Sequence, residues 1–133
     1  MGANFLLSKA PEVIVLHMGG NDICKKSILR IKNLIKEKIN KIKSVYPDVQ
    51  LVWVDILQRQ KWGNYEHKTA EKCRVRLNRL GRTIVPSQPS LVLRMDITSK
   101  EGFFRSDGVH LNVLGLEYYL DSLKDVLEMA LAK

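Results

Sequence analysis

Asp107 and His110 stand three residues apart in the stretch FFRSDGVHLN, residues 103–112. On a turn of helix, or a tight turn leading into one, side chains at i and i+3 share a side, with Cβ atoms about 5–6 Å apart. A carboxylate at Asp107 can therefore bond one ring nitrogen of His110, fix its tautomer and stabilise the imidazolium. The other nitrogen is then left as a general base. The alternative reading of the same two residues is a plain ion pair in a turn. A second stretch with chemical potential is Gly19-Gly20-Asn21-Asp22. Its glycines permit a sharp turn, and the Asn21 amide can donate to a developing oxyanion, an interaction worth about 2.7–4 kcal/mol of transition-state stabilisation where one has been removed. Here the alternative is that Asn21 or Asp22 caps the next helix.

These residues need a scaffold, and the hydropathy pattern supplies one. Val13 to Met18, VIVLHM, is a short, nearly continuous apolar run rich in β-branched residues, as expected of a parallel strand buried on both faces. From about Cys24 to Val45, Ile28, Ile31, Ile35, Ile39 and Ile42 recur at helical spacing, and Tyr46-Pro47-Asp48 ends the helix. Val49 to Ile56 reads as a second strand, and the polar Gln58 to His67 as a loop. A helix then starts near Thr69, with Ala70, Cys73, Leu77 and Leu80 on its apolar face and Gly81 as its C-terminal stop. Pro86 to Pro89 is a linker, Leu91 to Ile97 a third strand, and Asn112 the N-cap of a last helix from about Val113. Leu116, Tyr119, Leu120, Leu123, Leu127 and Leu131 form one stripe on that helix. Alternating strands and helices imply right-handed crossovers and a parallel sheet in a three-layer α/β/α arrangement. Ligands in such folds bind beyond the carboxyl ends of the strands, where both chemical stretches fall.

The chain of 133 residues is expected to be a single domain spanning 1–133, with 45% hydrophobic and 27% charged residues, an ordinary globular composition. Cys24 and Cys73 have no paired-ligand spacing, so neither zinc nor a disulfide framework is expected, and no cofactor is called for. His17 and His67 have no metal-ligand company and read as structural. Trp53 and Trp62 read as core and loop packing. No basic n-region precedes the apolar residues before Pro11, and no apolar run approaches the roughly 18 residues of a membrane span, so a cytoplasmic protein with no membrane partner is expected.

The formal net charge is +8. Lys25, Lys26, Lys32, Lys36, Lys38, Lys41 and Lys43 decorate the first helix, and Arg74, Arg76, Arg79 and Arg82 the second. A solvated surface explains such faces, and a non-catalytic module that binds RNA or DNA is the functional alternative.

Gly19-Gly20-Asn21-Asp22 and Asp107-Gly108-Val109-His110 together resemble two signature blocks of the SGNH (GDSL-type) hydrolases, a flavodoxin-like α/β family. The likeness extends from Pro11 through VIVLHMGGNDI, LVWVDILQRQKW, Arg74 to Asn78 and FFRSDGVHLNVLG. It is nearest to SGNH-type domains of fish and other vertebrate genomes, many in retroelement-derived reading frames. The resemblance implies ester hydrolysis through an acyl-enzyme, with His110 as base, Asp107 as its orienter and Asn21 as an oxyanion donor. Gly2 is a weak match to the family's oxyanion-hole glycine.

The family's nucleophilic serine, in a Gly-Asp-Ser block well upstream of the Asn block, has no counterpart. Ser8, Ser27 and Ser106 lie in the wrong contexts, and Cys24 is a remote substitute. The expectation is thus an N-terminally truncated or degenerate hydrolase of little or no activity toward a small ester. Its first strand would have a neighbour on one side only, an open edge that invites homodimerisation.

Overall fold

The computed structural model describes residues 9–94, 102–107 and 109–132. Gly2 and the part of the expected third strand after Arg94 lie outside them. Three strands, β1 (Val13–Leu16), β2 (Gln50–Val54) and β3 (Val92–Leu93), form one parallel sheet in the order β1-β2-β3. Val13 faces Gln50 and Leu16 faces Trp53 along the first ladder, and Trp53 faces Val92 along the second. The helices are α1 (Ile28–Val45), α2 (His67–Ile84) and α3 (Val113–Leu131).

Two successive crossovers of one hand, stepping the same way across a sheet, must leave their helices on one face. Accordingly α1 and α2 pack together against the side of β2 that carries Leu51 and Trp53. Val52 and Val54 point the other way, where Val126 and Ala130 of α3 meet them. Gln50 Nε2 at the start of β2 donates to the carbonyl of Ala130 at 3.0 Å, while Tyr119, near the other end of α3, meets His17 just past β1. The helix therefore runs antiparallel to the strands. Its N-terminus lies at their carboxyl ends.

The isoleucine period of α1 survives intact, with Ile31, Ile35, Ile39 and Ile42 buried. The helix starts at Ile28, the first isoleucine of that pattern and four residues after the expected start near Cys24, because Ser27 Oγ accepts from the Arg30 N–H at 3.1 Å and caps it. Neither Asn21 nor Asp22 is its cap. Gly20–Asp22 instead form a separate 3-10 turn. Helix α2 starts at His67 and runs three residues past Gly81, which is buried in its last turn against the Trp53 ring. The most enclosed strand is β2, with Leu51, Val52, Trp53 and Val54 all at 0% exposure, whereas Val13, Ile14 and Val15 of β1 are half-buried. His17 lies just beyond β1 and not within it.

The single stripe expected on α3 divides. Gly115, Val126 and Ala130 are buried and Tyr119 and Leu123 half-buried, while Leu116, Leu120 and Leu131 face outward at 49%, 52% and 54% exposure. Among the described residues β1 pairs with β2 alone. An apolar strand edge left unpaired templates pairing with another chain, and we propose that β1 does so. The expected outcome is a concentration-dependent dimer in size-exclusion chromatography with light scattering. A monomer across the whole concentration range would count against it.

Candidate active site

The FFRSDGVHLN segment folds back on itself ahead of α3. Phe104 and Leu111 form an antiparallel bridge, the Arg105 N–H donates to the His110 carbonyl at 2.7 Å, and the Asn112 N–H donates to the Phe103 carbonyl at 2.8 Å. Asn112 ties this hairpin to the helix as well as starting it. Its Oδ1 accepts from the Gly115 N–H at 2.9 Å, the N-cap bond expected of it, and its Nδ2 donates to the Gly102 carbonyl at 2.7 Å. The hairpin lies so close to the first turn of α3 that a Cβ on residue 115 would fall 2.4 Å from the Phe103 carbonyl oxygen. Only glycine fits there.

At the hairpin's tip the two oxygens of Asp107 divide their work. Oδ1 accepts from the backbone N–H groups of Val109 and His110 at 2.9 and 3.0 Å, holding the turn, and Oδ2 faces His110 Nδ1 at 2.7 Å. The bond to the His110 ring, then those from the His110 and Val109 backbone, holds the Asp107 carboxyl well below the usual carboxylate range. An ionised carboxylate only accepts, so Nδ1 carries the proton and the lone pair of a neutral imidazole sits on Nε2. Among the described residues Nε2 has no protein partner.

A pH dependence follows with a definite sign. A depressed carboxyl pKa stabilises the turn fully above the unfolded value of about 3.9, and that contribution is lost as pH falls toward the folded value. In an NMR titration the hairpin is expected to keep its order below pH 4. In His110→Ala, which removes the largest cause of the depression, Asp107 is expected to titrate nearer the ordinary range. An unchanged titration in that variant would refute the assignment.

Asn21 lies at the same end of the sheet, exposed, in the turn after β1. Its partner is a residue that the sequence reading passed over within a polar loop. Arg59 Nη2 donates to Asn21 Oδ1 at 3.3 Å, and the guanidinium stacks over the Trp62 ring at 4.5 Å. An arginine can only donate, so the amide oxygen must face it and Nδ2 must point away, available as a donor. Burial holds the Arg59 pKa below its usual range, partly offset by Glu71.

Trp62 is itself fixed. Its Nε1 donates to Glu71 Oε2 at 2.8 Å, and Glu71 Oε1 takes Arg74 Nε at 3.0 Å. Arg74 therefore turns inward, as does Arg82 toward Asp55, so neither belongs to the open basic face expected of α2. The signal that could have exposed Arg59 is its spacing: a cation shortly after a strand's carboxyl end, three residues before a tryptophan.

His17 joins the Asn21 side of the site to α3. Its ring is 6.2 Å from that of Tyr119, and lost hydration together with the nearby Arg59 charge lowers its pKa. Cys24 packs against the core beneath the turn, and its thiol is pushed up by burial and by neighbouring Cys73. That environment favours the thiol over the reactive thiolate. The structure thus brings Asp107 and His110 into contact, joins Asn21 to Arg59, and sets both pairs at one end of the sheet. Among the described residues no group of three or more His, Cys, Asp or Glu side chains gathers to hold a metal ion. No helix among them is long and apolar enough to cross a membrane. Comparison with protein-family models gives no match, and comparison with curated proteins gives none either.

Proposed function

We propose that the chain is an SGNH-type ester hydrolase domain of the three-layer α/β/α, flavodoxin-like class, holding its base, its orienter and an oxyanion donor but not the serine nucleophile. The observation that supports this most directly is the 2.7 Å contact of Asp107 Oδ2 with His110 Nδ1, which leaves Nε2 open at the carboxyl ends of the strands. In the complete reaction Nε2 takes the proton of the attacking hydroxyl and returns it to the leaving alcohol. Asp107 stabilises the imidazolium between these steps. The Asn21 amide, oriented through Arg59, donates to the oxyanion of the tetrahedral intermediate.

Without the nucleophile, turnover falls by roughly a millionfold, leaving at most weak hydrolysis. Any hydrolysis of phenyl acetate above the buffer rate is expected to vanish in His110→Ala. Equal rates above the buffer rate for the two proteins would sink the reading. A fusion that places a strand ending in Gly-Asp-Ser ahead of Pro11 is expected to raise the rate by a factor on the order of 10⁴ or more, and to lose the gain with His110→Ala.

A further inference from the structure

The formal charge of this chain is sorted by layer. Helix α1 carries Arg30, Lys32, Lys36, Lys38, Lys41 and Lys43 against Glu37 alone, and α2 carries Lys68, Lys72, Arg74, Arg76, Arg79 and Arg82 against Glu71 alone. On the opposite face α3 reverses the sign, with Glu117, Asp121, Asp125 and Glu128 against Lys124. Because α1 and α2 share one face of the sheet, two basic helices that are separate in the sequence become one surface.

Between them runs an open groove of about 520 Å³, with Lys32 on the α1 side, Arg76 and Arg79 on the α2 side, and Ile28 and Leu80 lining its apolar part. No carboxylate lines it. Both oxygens of Glu71 are taken by Trp62 and Arg74, and Asp55 is paired with Arg82, so these two acids are already engaged elsewhere. Lys32, Arg76 and Arg79 make no ion pair among the described residues.

We infer that this groove binds nucleic acid through the phosphate backbone, independently of the hydrolase reading. A trough bounded by cations on both walls accommodates a rod-shaped polyanion, whereas a flat lipid surface would leave its walls unevenly engaged. No aromatic side chain lines it. Base stacking is therefore absent, and binding should follow phosphate charge with little regard to base sequence.

The test is fluorescence anisotropy of a labelled 20-nucleotide single strand and its duplex, titrated with the full chain at stepped salt. Expected are affinity that falls linearly with salt on logarithmic axes, little difference between base compositions, and at least a thirtyfold loss in the triple variant Lys32→Glu, Arg76→Glu, Arg79→Glu. The control Lys9→Glu, Lys61→Glu, Lys124→Glu makes the same change in net charge away from the groove and should lose less than fivefold. Circular dichroism and thermal melting check that both variants fold. Equal losses in the two triples would overturn the proposal in favour of net charge alone, and undiminished binding by the groove triple would overturn it outright. Binding to vesicles of anionic phospholipid without binding to either oligonucleotide would assign the surface to a membrane instead.

Discussion

Replacing Asp55 with alanine is expected to remove about 3–5 kcal/mol of folding stability, the range found when one partner of a buried ion pair is deleted. Asp55 is 6% exposed at the end of β2, where Arg82 Nε approaches its two oxygens at 3.0 and 3.1 Å and Nη2 also reaches Oδ2. Its Oδ1 additionally accepts from Trp53 Nε1 at 2.9 Å. Alanine leaves the indole N–H without an acceptor in the interior and the guanidinium without its counter-ion. Asp55→Asn keeps an acceptor for Trp53 and is expected to lose less. Domains of this kind are stable by about 5–15 kcal/mol, so the alanine variant should show a marked drop in its urea midpoint. A change below about 1 kcal/mol would mean that water already screens the pair.

Gly81→Ala should also destabilise, although in a helix interior this exchange ordinarily gains up to about 1 kcal/mol. The reason is the Trp53 ring, whose atoms would lie 2.2 to 2.6 Å from the new Cβ. Trp53 is fully buried and its indole is tethered to Asp55, so the ring has no free direction in which to retreat. Overpacking of this kind costs about 1–3 kcal/mol, and the upper end is expected here. The check is again a chemical melt. Stabilisation would show that α2 can lift off the sheet. Because Asp55 holds the same ring, Asp55→Ala, which frees it, and Gly81→Ala should combine with less than additive loss.

These two sites also mark where sequence reading stops. Gly81 looks like a helix terminator because glycine favours helix ends, but its position is dictated by a tryptophan from another element. The 18 residues of α2 continue through it. Asp55 follows an apolar strand, and nothing local tells that a cation from α2 will close over it. The division of the α3 stripe is equally non-local. Leucine periodicity shows that the helix has apolar sides but not which of them meets the sheet.

What was legible was local. The isoleucines of α1 bury as their spacing requires, and the Asn112 cap and the Asp107–His110 contact each lie within one turn of chain. Arg59 was missed because its partner Asn21 is 38 residues away and becomes a neighbour only once β1 and β2 align. The start of α1 at Ile28 had a readable cause in Ser27, whose hydroxyl caps the helix just before the first isoleucine of the pattern.

The bond between Gln50 and Ala130 bears on the pair at the opposite pole of the sheet. Helix α3 spans about 28 Å at 1.5 Å per residue, and the hairpin carrying His110 is fastened to its first turn. Gln50 Nε2 holds the far end at the Ala130 carbonyl, and Gln50 Oε1 in turn accepts from Gln88 Nε2 at 3.2 Å. The helix is thus a strut seated at its foot by two glutamines, and the height at which the imidazole stands above the sheet is set where that foot rests. A small slip at the seat would travel along a stiff rod and emerge as a misplaced base.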